Sequence, residues 1–161
     1  MLGLALLDAT SRECRSWLVA QQRRCYALAV DVVFLIGRLL SSVILLFMGL
    51  GYIMNRKELV TYAARRGAPA AALAVPLAGL MLVLGAVSVS LGIYASVGLI
   101  LWVVFLVLSA LIVHLPRPSD DGQERTSEMV HFMKDMTLAG LALTLLPSAQ
   151  QAWPLALNIG V

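Results

Sequence analysis

The stretch Ala27–Met54, ALAVDVVFLIGRLLSSVILLFMGLGYIM, carries two charges along its whole length, Asp31 and Arg38. Hydrocarbon offers the backbone no partners, and each unsatisfied N–H or C=O there costs several kcal/mol. A run that crosses lipid must therefore close its own hydrogen bonds as a helix. About 20 mostly apolar residues make one crossing, and this block exceeds that. Ala70–Leu91, Val97–Val113 and Met136–Leu146 are apolar blocks with no charge at all. The first three blocks meet or approach the crossing length, and the fourth reaches it with flanking residues. The expected spans are 27–54, 70–91, 97–115 and 129–147. The fold class follows: an all-α membrane protein, a four-transmembrane-helix bundle.

Composition agrees. Of 161 residues, 60% are hydrophobic and 13% charged, about half the charged share of a soluble domain. This length suits one helical bundle without a separate soluble domain. The net charge is +3, and the Lys and Arg residues sit beside the apolar blocks. Lipid headgroups suit them better than nucleic acid does. Cys14 and Cys25 share a helical face but stand about 16 Å apart along the axis, beyond the reach of about 7 Å that a disulfide allows. No CxxC or Cys/His ligand set occurs, so no metal site is expected.

Met1–Leu7 is too short for a signal-peptide core with its own basic region, and no small-residue cleavage site follows. Asp8–Tyr26 reads as an amphipathic interfacial helix. Arg12, Arg15, Arg23 and Arg24 face headgroups, and Trp17 anchors at the interface. This divides an N-terminal segment, 1–26, from a membrane domain, 27–161. The segment lies on the membrane or docks on a partner; both stay open. Leu59–Arg66 reads as a short helix stopped by Gly67-Ala68-Pro69, and Gly92–Ser96 as a tight turn. Ser119–Glu128, with four acids and one arginine, is expected to be a solvated loop. Past Pro147, Trp153-Pro154 suggests an interfacial exit. Seven Lys/Arg in the first and third loops against four before the first span favour cytoplasmic loops. First-helix dominance favours the reverse, so orientation stays open.

Ionisable groups inside a bilayer are costly and are functional candidates by default. Asp31 and Arg38 lie two turns apart on one face. Arg38 can contact a quinone, a lipid phosphate or a partner carboxylate, or be satisfied by backbone carbonyls. His114, His131, Lys134 and Asp135 gather where the third span ends and the fourth begins, and Tyr52 and Asn55 arrive there from the first. A histidine beside a carboxylate could relay protons to a quinone; alternatively, these residues form a polar collar capping helix ends. Met129, Met133 and Met136 recur at helical spacing as a packing stripe.

Over Ile36–Leu146 the pattern resembles the DoxX family of small four-helix bacterial membrane proteins. The resemblance rests on Gly37-Arg38-Leu39-Leu40, Met48-Gly49-Leu50-Gly51, the Tyr-x-x-x-x-Gly-x-Pro stretch Tyr62–Pro69, Pro76-Leu77-Ala78-Gly79, Leu91-Gly92, His114 and Phe132-Met133-Lys134-Asp135. It implies a four-span bundle and redox-linked work in the bacterial inner membrane, with thiosulfate:quinone oxidoreduction among the activities of relatives. Three polar positions typical of that family are replaced here, by Tyr52, Leu82 and Ser96. The expectation is therefore a non-catalytic accessory subunit of a larger membrane complex, bound to lipids and other membrane subunits, without cofactor. The alternatives are a redox subunit handling quinone at the His114/His131 rim, and a small-solute or lipid transporter.

Overall fold

The structure is a computed structural model that describes residues 2–118 and 120–160, with side chains described at Trp17 and from Val19 onward. Its first helix, α1, runs unbroken over Leu2–Met54. α2 covers Arg56–Arg65, α3 Ala71–Leu91 and α4 Ala95–Leu108. A π-helical turn, Ser109–Val113, extends α4. α5 follows over Gly122–Leu145 and closes in a 3-10 turn, Leu146–Gln150. The chain divides into two compact units, Met1–Gly37 and Arg38–Val161. The sequence places its boundary after Tyr26, whereas the units meet after Gly37.

Among the described residues, four helical stretches are long and apolar enough to cross a membrane: Val19–Met54, Ala71–Leu91, Ala95–Val113 and Gly122–Gln150. In the second unit, Arg38–Met54 of α1 joins α3, α4 and α5 in an all-α four-helix bundle, with α2 packed on α3. Small residues set the crossings. A Cβ at Gly49 would stand 2.9 Å from the Gly79 carbonyl oxygen, and one at Gly79 3.0 Å from the Gly49 oxygen. Between α3 and α4, a Cβ at Gly85 would stand 2.6 Å from the Trp102 ring, and one at Gly98 2.5 Å from Ser88 Oγ. Such approach maximises the van der Waals contact that holds helices together where lipid removes the hydrophobic drive.

Many large apolar side chains point outward instead. Phe47 is 70% exposed, Leu73 69% and Val130 60%, while Ala71, Ala86, Ala110, Ala139 and Ala142 are buried. In water so continuous an apolar surface would be an aggregation hazard; in hydrocarbon it is the expected exterior. The chain is a multi-pass membrane protein.

The two ends of the bundle differ. One gathers the end of α1, α2, the π turn and the start of α5. The other holds Arg38, the Gly92–Tyr94 turn and the segment 151–160. That segment returns as a strap: Leu157 N–H donates to Leu91 O, Tyr94 N–H to Ile159 O and Ile159 N–H to Gly92 O. Gly92, at φ +70°, makes the turn that receives it.

The expected solvated loop is corrected. α5 begins at Gly122, well before the expected start at 129, because Asp121 accepts from the backbone N–H groups of Gln123 and Glu124 at 3.0 and 2.8 Å. Such an N-cap satisfies two of the four orphan donors at a helix start. The added turns carry Glu128 into the protein, where it is buried, and the side chain of Asp120 is 5% exposed. Three of the four acids that read as loop charge, Asp120, Glu124 and Glu128, face a buried arginine.

Candidate functional site

That arginine is Arg66, just past α2, and it is 4% exposed. Gly67, at φ +78°, turns the chain immediately after it. The π turn ends α4 with His114 N–H bonded to Ser109 O, which leaves later carbonyls without helical donors. Arg66 supplies them: Nε donates to Val113 O at 2.8 Å and Nη2 to Leu115 O at 2.9 Å. A cation at the negative end of a helix is favourable on its own account. Nη1 meets Asp120 Oδ1 at 2.7 Å, and Glu124 and Glu128 stand at 3.9 Å.

Glu128 extends the network. It accepts from the Tyr62 hydroxyl, and His114 Nδ1 lies 2.8 Å from its other oxygen. Asp120 also accepts from the Arg117 backbone N–H at 2.8 Å, while the Arg117 side chain donates to Arg66 O. The electrostatics follow. The Arg117 N–H and then Arg66 hold the Asp120 carboxyl below the usual range against opposing burial. Burial works against the Arg66 charge, but the Asp120 hydrogen bond and the Glu128 charge outweigh it and raise its pKa. Burial, then Glu128, raises the Tyr62 phenol, so it stays a proton donor.

The expected rim residues fall around this network. The His114 and His131 rings lie 5.1 Å apart, tilted by 31°. Lys134 Nζ is 3.4 Å from His131 Nδ1 and 3.5 Å from Asp135 Oδ1. Asp135 is buried, 2% exposed, rather than at a solvated edge. Tyr52 stands in its field, meets the Ser109 hydroxyl and crosses Phe105 edge-on at 5.6 Å. Beside Tyr52 and Ser109 an apolar groove of about 270 Å³ runs between the helices, lined further by Met81, Phe105, Leu108 and Ile112. Among the described residues no three His, Cys, Asp or Glu are grouped to hold a metal ion.

Tyr62, Arg66, Asp120 and Glu128 are absent from the site residues expected from sequence, where Arg66 counts as a loop cation bearing on orientation and the acids as loop. The available signal is spacing: Tyr62 and Arg66 at i, i+4, and Glu124 and Glu128 at i, i+4, present two complementary faces.

At the other end Arg38 is equally buried, 4% exposed. Nη2 donates to Leu155 O at 3.0 Å, and the guanidinium carbon sits 5.6 Å from the Trp153 ring centroid. Nε and Nη1 have no hydrogen-bond partner, nor does Ser42 Oγ one turn on. Asp31 belongs to the first unit and is half-buried. There Trp17 is 64% exposed, and Arg23 and Arg24 are exposed. The side chains of Arg12, Cys14 and Arg15 lie outside the described residues.

No protein-family profile matches the chain, and neither a curated protein nor a solved structure matches it.

Proposed function

We propose that the chain is a non-catalytic structural subunit of a larger membrane complex, in the bacterial inner membrane and among anionic lipids, built as a divergent DoxX-like bundle. The observation that carries this reading is the set of exposed apolar side chains in the described part of the first unit, where Tyr26 is 73% exposed, Leu28 65% and Val33 69%. The helix containing them continues to Met54, and its apolar block Ala27–Met54 is 28 residues long, beyond the roughly 20 that one crossing needs. The excess supplies a helical face for another subunit's helices. The closed network around Arg66 supports the same reading, because its groups are spent on one another and fix the bundle end. Purification in mild detergent tests it: the chain should run with much larger proteins, and a lone monodisperse monomer would overturn the proposal.

A second reading, a redox subunit handling quinone, is favoured by the groove of about 270 Å³ beside Tyr52 and Ser109, near the His114/His131 pair. Its apolar walls suit a lipophilic ring, and the two hydroxyls suit a carbonyl oxygen. Under this reading His114→Ala with His131→Ala abolishes quinone-dependent turnover while assembly persists; unchanged turnover would remove it.

A further inference from the structure

We propose that Arg38 and Ser42 form a binding site for a phosphate oxyanion, closed over by the 151–160 strap. The proposal needs only the membrane reading and is independent of any partner subunit.

Arg38 offers five N–H donors in a planar fork, a geometry matched to phosphate and carboxylate oxygens. One of them meets Leu155 O, while Nε and Nη1 are buried without a partner. Among the described residues no carboxylate forms an ion pair with this guanidinium. Ser42 sits one turn further along the same helical face, and its buried Oγ is also unpartnered. A guanidinium and a hydroxyl turned to one side of a helix are the donor set that an oxyanion accepts from. Buried polar groups in native proteins are almost always bonded, so unbonded ones mark a place where a further group belongs.

Position selects the class of anion. Arg38 is at the end of the bundle where α3 turns into α4, and its cover includes Trp153, with Tyr94 56% exposed nearby on the strap's partner turn. Aromatic residues of this kind mark the headgroup level of a bilayer. Phosphate is the abundant oxyanion there, carried by phospholipid or free in solution. The strap holds by three backbone bonds to the turn and by the Arg38–Leu155 contact. It must move for the oxyanion to reach Nε, and Leu155 O competes for the same guanidinium. Binding therefore exchanges a strap contact for a phosphate contact.

The test uses the full chain, purified in neutral detergent and challenged with short-chain phosphatidylglycerol, inorganic phosphate or diacylglycerol. Bound molecules are counted by native mass spectrometry, and amide exchange is followed over 151–160. Phosphatidylglycerol should be retained and change exchange at the strap. If inorganic phosphate does so equally, the free ion is the ligand; if it does not, the lipid is. Diacylglycerol retained as well as phosphatidylglycerol would overturn the proposal. Arg38→Gln should weaken retention by about tenfold, as loss of a charge-assisted fork implies, and Ser42→Ala by a few-fold. Arg38→Lys keeps the charge without the fork and should fall between them. Arg125→Gln, which removes an exposed charge, should leave retention unchanged. Equal loss in Arg125→Gln and Arg38→Gln would reduce the effect to surface attraction and sink the site.

Discussion

Arg66 and Arg38 are equally buried, at opposite ends of one bundle, and they are held in contrary ways. Arg66 bonds two helix-end carbonyls and Asp120, with two further acids within 3.9 Å. Arg38 has one carbonyl, one aromatic face and two unpartnered nitrogens. A buried cation whose partners come from its own fold fixes that fold. One with unpartnered donors is poised to accept a group from outside. Burial and charge alone do not separate a structural arginine from a binding one; the partner set does.

The largest break in this contrast comes from Arg66→Gln. It leaves Asp120 and Glu128 buried without their cation, and removing one partner of a buried ion pair costs about 3–5 kcal/mol. Denaturant unfolding in detergent micelles should show a loss of that order, with the bundle end around α2 and the start of α5 opening first. Stability near that of the wild type would mean the network is ornamental.

Tyr62→Phe is smaller. It deletes one hydrogen bond to a charged acceptor, which implies about 1.5–3 kcal/mol by the same measurement. Its effect should shrink sharply in the Glu128→Gln background, since a double-mutant cycle isolates the shared contact. Additive losses would place the two groups in separate networks.

Acid probes the same end. Asp120 is held below the usual carboxylate range by the Arg117 N–H and by Arg66. A depressed native pKa gives stability that is fully present above the unfolded value of about 3.9, and that is lost as pH falls through the native one. Unfolding midpoints should therefore decline below about pH 4 in the wild type. Asp120→Asn should start lower and decline less. An identical acid slope in both would remove Asp120 from the linkage.

The fold was legible where composition alone decides it. Uncharged runs such as Ala70–Leu91 can only be spanning helices, and the structure gives α3 over Ala71–Leu91. Convergence of His114 with His131 was legible as well, because the third span must end where the fourth begins. Arg66 was not. Its partners lie at Val113, Leu115, Asp120 and Glu128, and the i, i+4 spacings give two complementary faces without saying that they meet. Asp121 lies near the start of a hydrophilic stretch that looks like loop, yet it caps a helix. The unpartnered Nε and Nη1 of Arg38 were equally hidden, since the sequence shows an intramembrane charge but not what its helices bring to it.

Arg38→Met is the smallest expected effect and the sharpest use of the contrast. The methionine fills much of the same space, gives up one hydrogen bond to Leu155 O and relieves two unpartnered buried donors. Replacing a poorly compensated buried charge by an apolar side chain is often neutral or stabilising. In detergent without anionic lipid the variant should match the wild type within about 1 kcal/mol. Once short-chain phosphatidylglycerol is added, the wild type should gain stability by mass action and the variant should not. A loss in lipid-free detergent as large as that of Arg66→Gln would make Arg38 a second structural arginine, and the difference between the two ends would vanish.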